Sequence, residues 1–230
     1  MSVGMIAVCG ATGLLVGPVS WLLVERVPDR MPLLARPFPE LGGAFGQPLG
    51  LAVVLTTGAL FAGVGASIGT VWVLPAFLVL TATLVALAAI DLRHYILPNR
   101  IVFPLAIVEL ALFGGAAAAK SDVDPLLRAL ECGVGAFVAF TVLHLISPRA
   151  MGFGDVKLSF VLGLALGWLG VGETVLGLFL GFVYGAVIGL VLIAAKVRTR
   201  KDHVPFGPFL ALGAVTAILV GDVIVEWYRG

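Results

Sequence analysis

Residues 41–90 carry no charged side chain, and neither do residues 1–24. A stretch of fifty residues without charge has no polar face to turn toward water. One α-helix needs about 20 apolar residues to cross a bilayer, and only helices and closed barrels satisfy their backbone groups there. The block 41–90 is too long for one span and long enough for two. The rest of the chain agrees: 60% of its 230 residues are hydrophobic and 12% charged, against about 45–50% and about 25% in a soluble domain. Mean hydropathy is +1.14. The expected class is an all-α polytopic membrane protein in a lipid bilayer. A net charge of +1 gives no reason to expect nucleic acid. Cys9 and Cys132 both lie in apolar runs and read as small buried hydrophobes, with no CxxC pair. The first charge is Glu25, so no basic segment precedes the first apolar run and a cleaved signal peptide is not expected.

Eight spans follow. The first is Val3–Val24, and the polar loop 25–47 after it holds Arg26, Arg30, Arg36 and four prolines. The charge-free block divides near Gly65–Gly69 into spans at 48–67 and 71–90. Ile101–Ala119 and Leu126–Ile146 come next, on either side of a polar turn. Asp155–Gly170, Thr174–Ala195 and a final span from Val204 to about Ile224 complete the bundle of about eight helices. Eight spans place both termini on one side. Arg26, Arg30, Arg36, Arg93, Arg100, Arg149, Lys157, Lys196, Arg198, Arg200 and Lys201 then share the other side, against Lys120, Arg128 and Arg229. The positive-inside rule makes the richer side cytoplasmic and puts the termini outside. Asp91 and Asp155 both fall on the cytoplasmic side. Gly177, Gly181, Gly185 and Gly189 recur every four residues and line one helix face, as expected for close packing within the bundle or, as the alternative, for a dimer contact.

The segment Met151-Gly152-Phe153-Gly154-Asp155-Val156-Lys157-Leu158 puts a carboxylate at the mouth of an apolar run. Asp91 ends another and is followed by Leu92-Arg93-His94-Tyr95-Ile96-Leu97-Pro98-Asn99. An acid near hydrocarbon is costly and defaults to function, pairing or a water-filled cavity. At an interface, a helix-end role is equally open on position alone. Gly152 and Gly154 give the backbone freedom to pass close to another chain, and Pro98 stops the first segment from continuing as an ordinary helix. Two carboxylates in one site can share a proton: one takes a proton from water, the other hydrogen-bonds a carbonyl. That chemistry hydrolyses a peptide without metal, serine or cysteine. His94, His144 and His203 lie in separate segments, so no metal site is expected. Lys157 reads either as a cation that biases the pair or as a snorkelling lysine. Glu109 lies mid-span and calls for a hydrogen bond or a part in substrate handling. Arg198, Arg200 and Lys201 read as topology and lipid contacts, and Phe206, Pro208 and Phe209 as an aromatic belt and helix start.

Gly152–Leu158 resembles the GxGDxKL signature of the prepilin peptidase, or type IV leader peptidase, family. Ile90–Asn99 resembles that family's other aspartate motif, and Val204-Pro205-Phe206-Gly207-Pro208-Phe209-Leu210-Ala211 its PFGPFLA segment. Gly17, Arg26 and Pro28 match its opening motif more weakly. The resemblance implies a GxGD aspartyl protease bundle with Asp91 and Asp155 as catalytic pair and Gly152, Gly154, Lys157, Pro98 and Asn99 shaping the site. It divides the chain into residues 1–47, a first span plus a short cytoplasmic loop without the family's cysteine motifs, and residues 48–230, a seven-span peptidase core. It implies a prepilin or pseudopilin substrate with a short basic leader, cut after a glycine at the cytoplasmic face of the bacterial inner membrane. Cleavage would need no cofactor. Many members also N-methylate the new terminus with S-adenosylmethionine. Here the paired cysteines are missing and Trp21 stands where the family has asparagine, so methylation is left open. The oligomeric state is left open too. Rival readings are a proton-coupled transporter using intramembrane acids and a presenilin-like intramembrane protease. The second would pair GxGD with Tyr-Asp and Pro-Ala-Leu, where this chain has Ile90-Asp91 and Pro205-Phe206-Gly207.

Overall fold

A computed structural model describes residues 3–26, 43–68, 72–148, 151–197 and 204–229. The loop 27–42 and the basic cluster 198–203 lie outside the described residues. Every element among the described residues is helical: α1 Val3–Arg26, the single turn α2 Gly43–Gly46, α3 Pro48–Ser67, α4 Leu74–His94, α5 Asn99–Lys120, α6 Asp124–Ile146, α7 Phe153–Leu169, α8 Val171–Ala194 and α9 Gly207–Arg229. The charge-free block divides as expected. α3 ends at Ser67, and Pro75 in the first turn of α4 restarts the helix where its missing N–H costs nothing.

Seven helices are long and apolar enough to cross a membrane. The eighth expected span is α7, which at 17 residues is shorter than the rest. It nevertheless runs from one end of the bundle to the other. Asp155 lies in its first turn, at the end shared with Asp91. At its far end, Arg128 in the first turns of α6 donates from Nε to the Gly167 carbonyl (2.9 Å) and from Nη2 to that of Trp168 (2.7 Å). These carbonyls have no partner within the helix, so the guanidinium caps it.

α1 packs along α3, α6 along α7 and α8 along α9, while α4 and α7 run through the middle and touch one another. Twelve buried residues on α4 and twelve on the shorter α7 mark these two as the central helices. Phe113 of α5 ties them together at the end away from Asp91. It meets Phe77 edge-on at 5.8 Å and stacks on Trp168 at 4.9 Å. Asp91 and Asp155 thus sit on the two most buried helices.

The glycine face of α8 packs inside the bundle, against α9. A Cβ on Gly177 would come 2.6 Å from Leu166 Cδ1, one on Gly181 3.0 Å from Leu210 Cδ2, and one on Gly185 3.2 Å from the Phe206 and Phe209 rings. Gly189, with nothing within 4 Å, takes no part. Cys9 and Cys132 are free thiols on different helices.

Candidate active site

α4 ends because its chain turns left-handed at Tyr95 (φ 55°, ψ 36°), whose N–H closes the last turn onto the Asp91 carbonyl at 2.9 Å. Non-glycine residues seldom adopt this conformation. Pro98 then starts α5, and its carbonyl accepts the first helical hydrogen bonds from Ile101 and Val102. Asp91 is left in the final turn of α4, 5% exposed, near the negative end of its own helix. Compensation comes from α9, where the N–H of Gly207, that helix's first residue, donates to Asp91 Oδ2 at 3.0 Å. A Cβ on Gly207 would lie 2.8 Å from the same oxygen, so the approach requires glycine.

α7 begins two residues before Asp155, not at it. Gly152 caps the helix with φ −71° and ψ 149°, angles that any residue adopts. Asp155 is the third residue of the helix and folds back: its Oδ2 accepts from Gly152 N–H at 3.1 Å, while its own N–H donates to the Gly152 carbonyl at 3.1 Å. This is the carboxylate half of a capping box, at the helix end that favours an anion. Asp155 is 6% exposed.

The glycine that needs to be glycine here is Gly154. A Cβ there would come 2.9 Å from Leu97 Cβ. Leu97 belongs to the loop after Asp91, so this contact seats one aspartate-bearing segment on the other. Gly152 has room, since a Cβ would meet Asp155 Oδ2 at an ordinary 3.4 Å.

Asp91 and Asp155 interact electrostatically and open onto one cavity of ≈ 300 Å³. Gly152, Gly154, Asn99 and Lys157 line it with them, as do Tyr95, Ile96, Leu97, Pro205 and Phe206. Pro98 does not line it and acts one step back, as the start of α5. Lys157 Nζ donates to Asn99 Oδ1 at 2.8 Å and lies 4.8 Å from the Phe153 ring centroid and 5.4 Å from that of Phe103. Two rings and an amide hold the cation at the cavity's rim.

Gly207, Leu97 and His144 are absent from the residues singled out by sequence. His144, considered there only as a metal ligand, meets the Met151 carbonyl through Nδ1 at 2.8 Å. Among the described residues no three His, Cys, Asp or Glu side chains gather as metal donors. Glu109 lies away from the cavity, fully buried, and neither of its oxygens has a hydrogen-bond partner. Trp21 is buried under the guanidinium of Arg93, 4.9 Å from its ring centroid.

Comparison with known proteins bears on the same segments. The type IV leader peptidase family matches residues 78–193, which include both aspartates. The prepilin leader peptidase/N-methyltransferase of Aeromonas hydrophila is 33% identical over 76% of this chain and 60% of its own length. That of Stutzerimonas stutzeri is 34% identical over the same shares. That of Bacillus subtilis strain 168 is 29% identical over 77% of this chain and 68% of its own length. The chain spans about 60% of the length of the first two relatives. No solved structure matches. A match across half the chain, centred on the two buried aspartates, makes this protein a member of the type IV leader peptidase family.

Proposed function

We propose that the protein is an inner-membrane aspartyl endopeptidase that removes the leader of type IV prepilins or pseudopilins, with Asp91 and Asp155 as its catalytic pair. The observation that carries the proposal is that two aspartates from the two central helices open onto one cavity at one end of the bundle. Its relatives' names point to the same substrate class.

Two carboxylates in one small cavity cannot both ionise cheaply, so they share a proton. The ionised one takes a proton from a water as that water attacks the scissile carbonyl. The protonated one hydrogen-bonds the carbonyl oxygen as negative charge develops on it. The proton then passes to the leaving amine as the C–N bond breaks, and the pair returns to its starting state. The N–H groups of Gly207 and Gly152 hold the two carboxylates in place without supplying a proton.

The eleven-to-three distribution of basic residues supports a cytoplasmic position for this end of the bundle, with both termini outside. A basic leader would be held on the same side by the same rule. Both acids stand at one end rather than at mid-bundle, which speaks against a transport path. The relatives' names add an N-methyltransferase activity, which would draw on S-adenosylmethionine; the aspartate pair accounts for cleavage.

The test is to express Asp91→Asn and Asp155→Asn with a candidate prepilin and follow its processing in membranes. Each substitution is expected to abolish cleavage at unchanged protein level. Processing that persists in either one overturns the pair.

A further inference from the structure

Asp155 is held through one peptide group, and a residue outside its helix holds the far side of that group. Gly152 N–H donates to Asp155 Oδ2 at 3.1 Å. The carbonyl of the same peptide group belongs to Met151, and His144 Nδ1 lies 2.8 Å from its oxygen. A carbonyl only accepts, so Nδ1 carries the hydrogen. The peptide group is planar and stiff. A donor that fixes the direction of its C=O therefore fixes the direction of its N–H. It also polarises the amide and strengthens the hydrogen bond at the other end.

His144 is placed for this by its position in the last turn of α6, the helix that packs along α7. Its ring also leans on Phe153, the first residue of α7, with centroids 5.6 Å apart. Met151 is itself buried, so the linked peptide group sits against the core.

We propose that His144 is a positioning residue: it orients the Asp155 carboxylate through the Met151–Gly152 peptide group. The inference rests on the reading of Asp155 as catalytic. Mere anchoring of Met151 would be served by any contact of the right bulk. The link just described needs a hydrogen-bond donor at the Nδ1 position.

Two substitutions in the full-length protein separate these roles. His144→Phe keeps the ring against Phe153 and loses the donor. His144→Asn loses the ring and keeps a donor the same number of bonds from the backbone. With a prepilin substrate, His144→Phe is expected to lower kcat about five- to tenfold, the worth of one hydrogen bond, with KM little changed. His144→Asn is expected to recover most of the lost kcat. Wild-type kcat in His144→Phe overturns the inference. So does a His144→Asn enzyme as slow as His144→Phe, and that comparison also decides the matter if the phenylalanine variant accumulates poorly. Asp155→Asn, assayed in parallel, keeps the two readings apart. Cleavage by Asp155→Asn overturns the catalytic pair, whereas its loss together with normal His144→Phe turnover overturns the His144 link alone.

Discussion

The backbone N–H of Gly207 donates to Oδ2 of Asp91 at 3.0 Å, joining two residues 116 positions apart. The contact leaves no room for a side chain: a Cβ on Gly207 would lie 2.8 Å from that oxygen and 3.2 Å from Leu97 Cδ2. Gly207→Ala must therefore displace the carboxylate or the start of α9. Misplacement of a reacting group by about 1 Å costs about 10²-fold in rate, and a loss of prepilin cleavage of that order is expected at normal protein level. Gly189→Ala, with nothing within 4 Å, is the matched control and should cleave normally. Equal activity in the two variants would show that the Asp91–Gly207 hydrogen bond is dispensable.

Lys157 tests the electrostatics of the pair. It lines the same cavity as both aspartates and is held by Asn99, Phe103 and Phe153. A cation at the rim of the cavity favours the ionised form of a carboxylate inside it. Lys157→Gln removes that charge and is expected to move the pH profile of kcat toward higher pH. Lys157→Arg keeps the charge and should leave the profile in place. The difference should shrink as salt is added, because screening weakens the interaction. Superimposable profiles for wild type and Lys157→Gln would reduce the lysine to an interfacial anchor.

Glu109 offers a prediction about stability. It is fully buried on α5, and both of its oxygens lack a hydrogen-bond partner. A buried polar group without a partner costs about 1–3 kcal/mol, and an apolar side chain of similar size removes that cost. Glu109→Met is expected to raise the thermal unfolding midpoint in detergent and to leave cleavage unchanged. A well-folded Glu109→Met enzyme without activity would bring Glu109 into substrate handling instead.

Much of the architecture can be read from where charge is missing. The charge-free block 41–90 demands two helices, and the helix count then brings Asp91 and Asp155 to one end of the bundle. The structure places both in one cavity there. Periodicity and charge stop being informative at the level of single atoms. Gly152 and Gly154 look alike in sequence, yet Gly154 alone is pressed by a neighbour, Leu97. Only the packing of the Asp91 loop makes that distinction. The Gly207–Asp91 contact joins segments far apart in the chain, and its sole sequence trace is the Pro205-Phe206-Gly207-Pro208 turn. His144 was hidden for another reason: its partner is a backbone carbonyl, which leaves no mark on residue type. The shortness of α7 was legible in the bounds Asp155–Gly170, but the cap that Arg128 places on its far end was not.

The tie between Asp91 and Gly207 also sets an order of events during synthesis. α4 is made long before α9, and chains enter the membrane from the N-terminal end forward. Until α9 is in place, Asp91 lacks the N–H that holds it, and the cavity lacks the wall formed by Pro205 and Phe206. A nascent chain carrying both aspartates therefore still has an unfinished site. The last described helix to emerge completes it, and a chain arrested before Gly207 would reach the membrane without that wall.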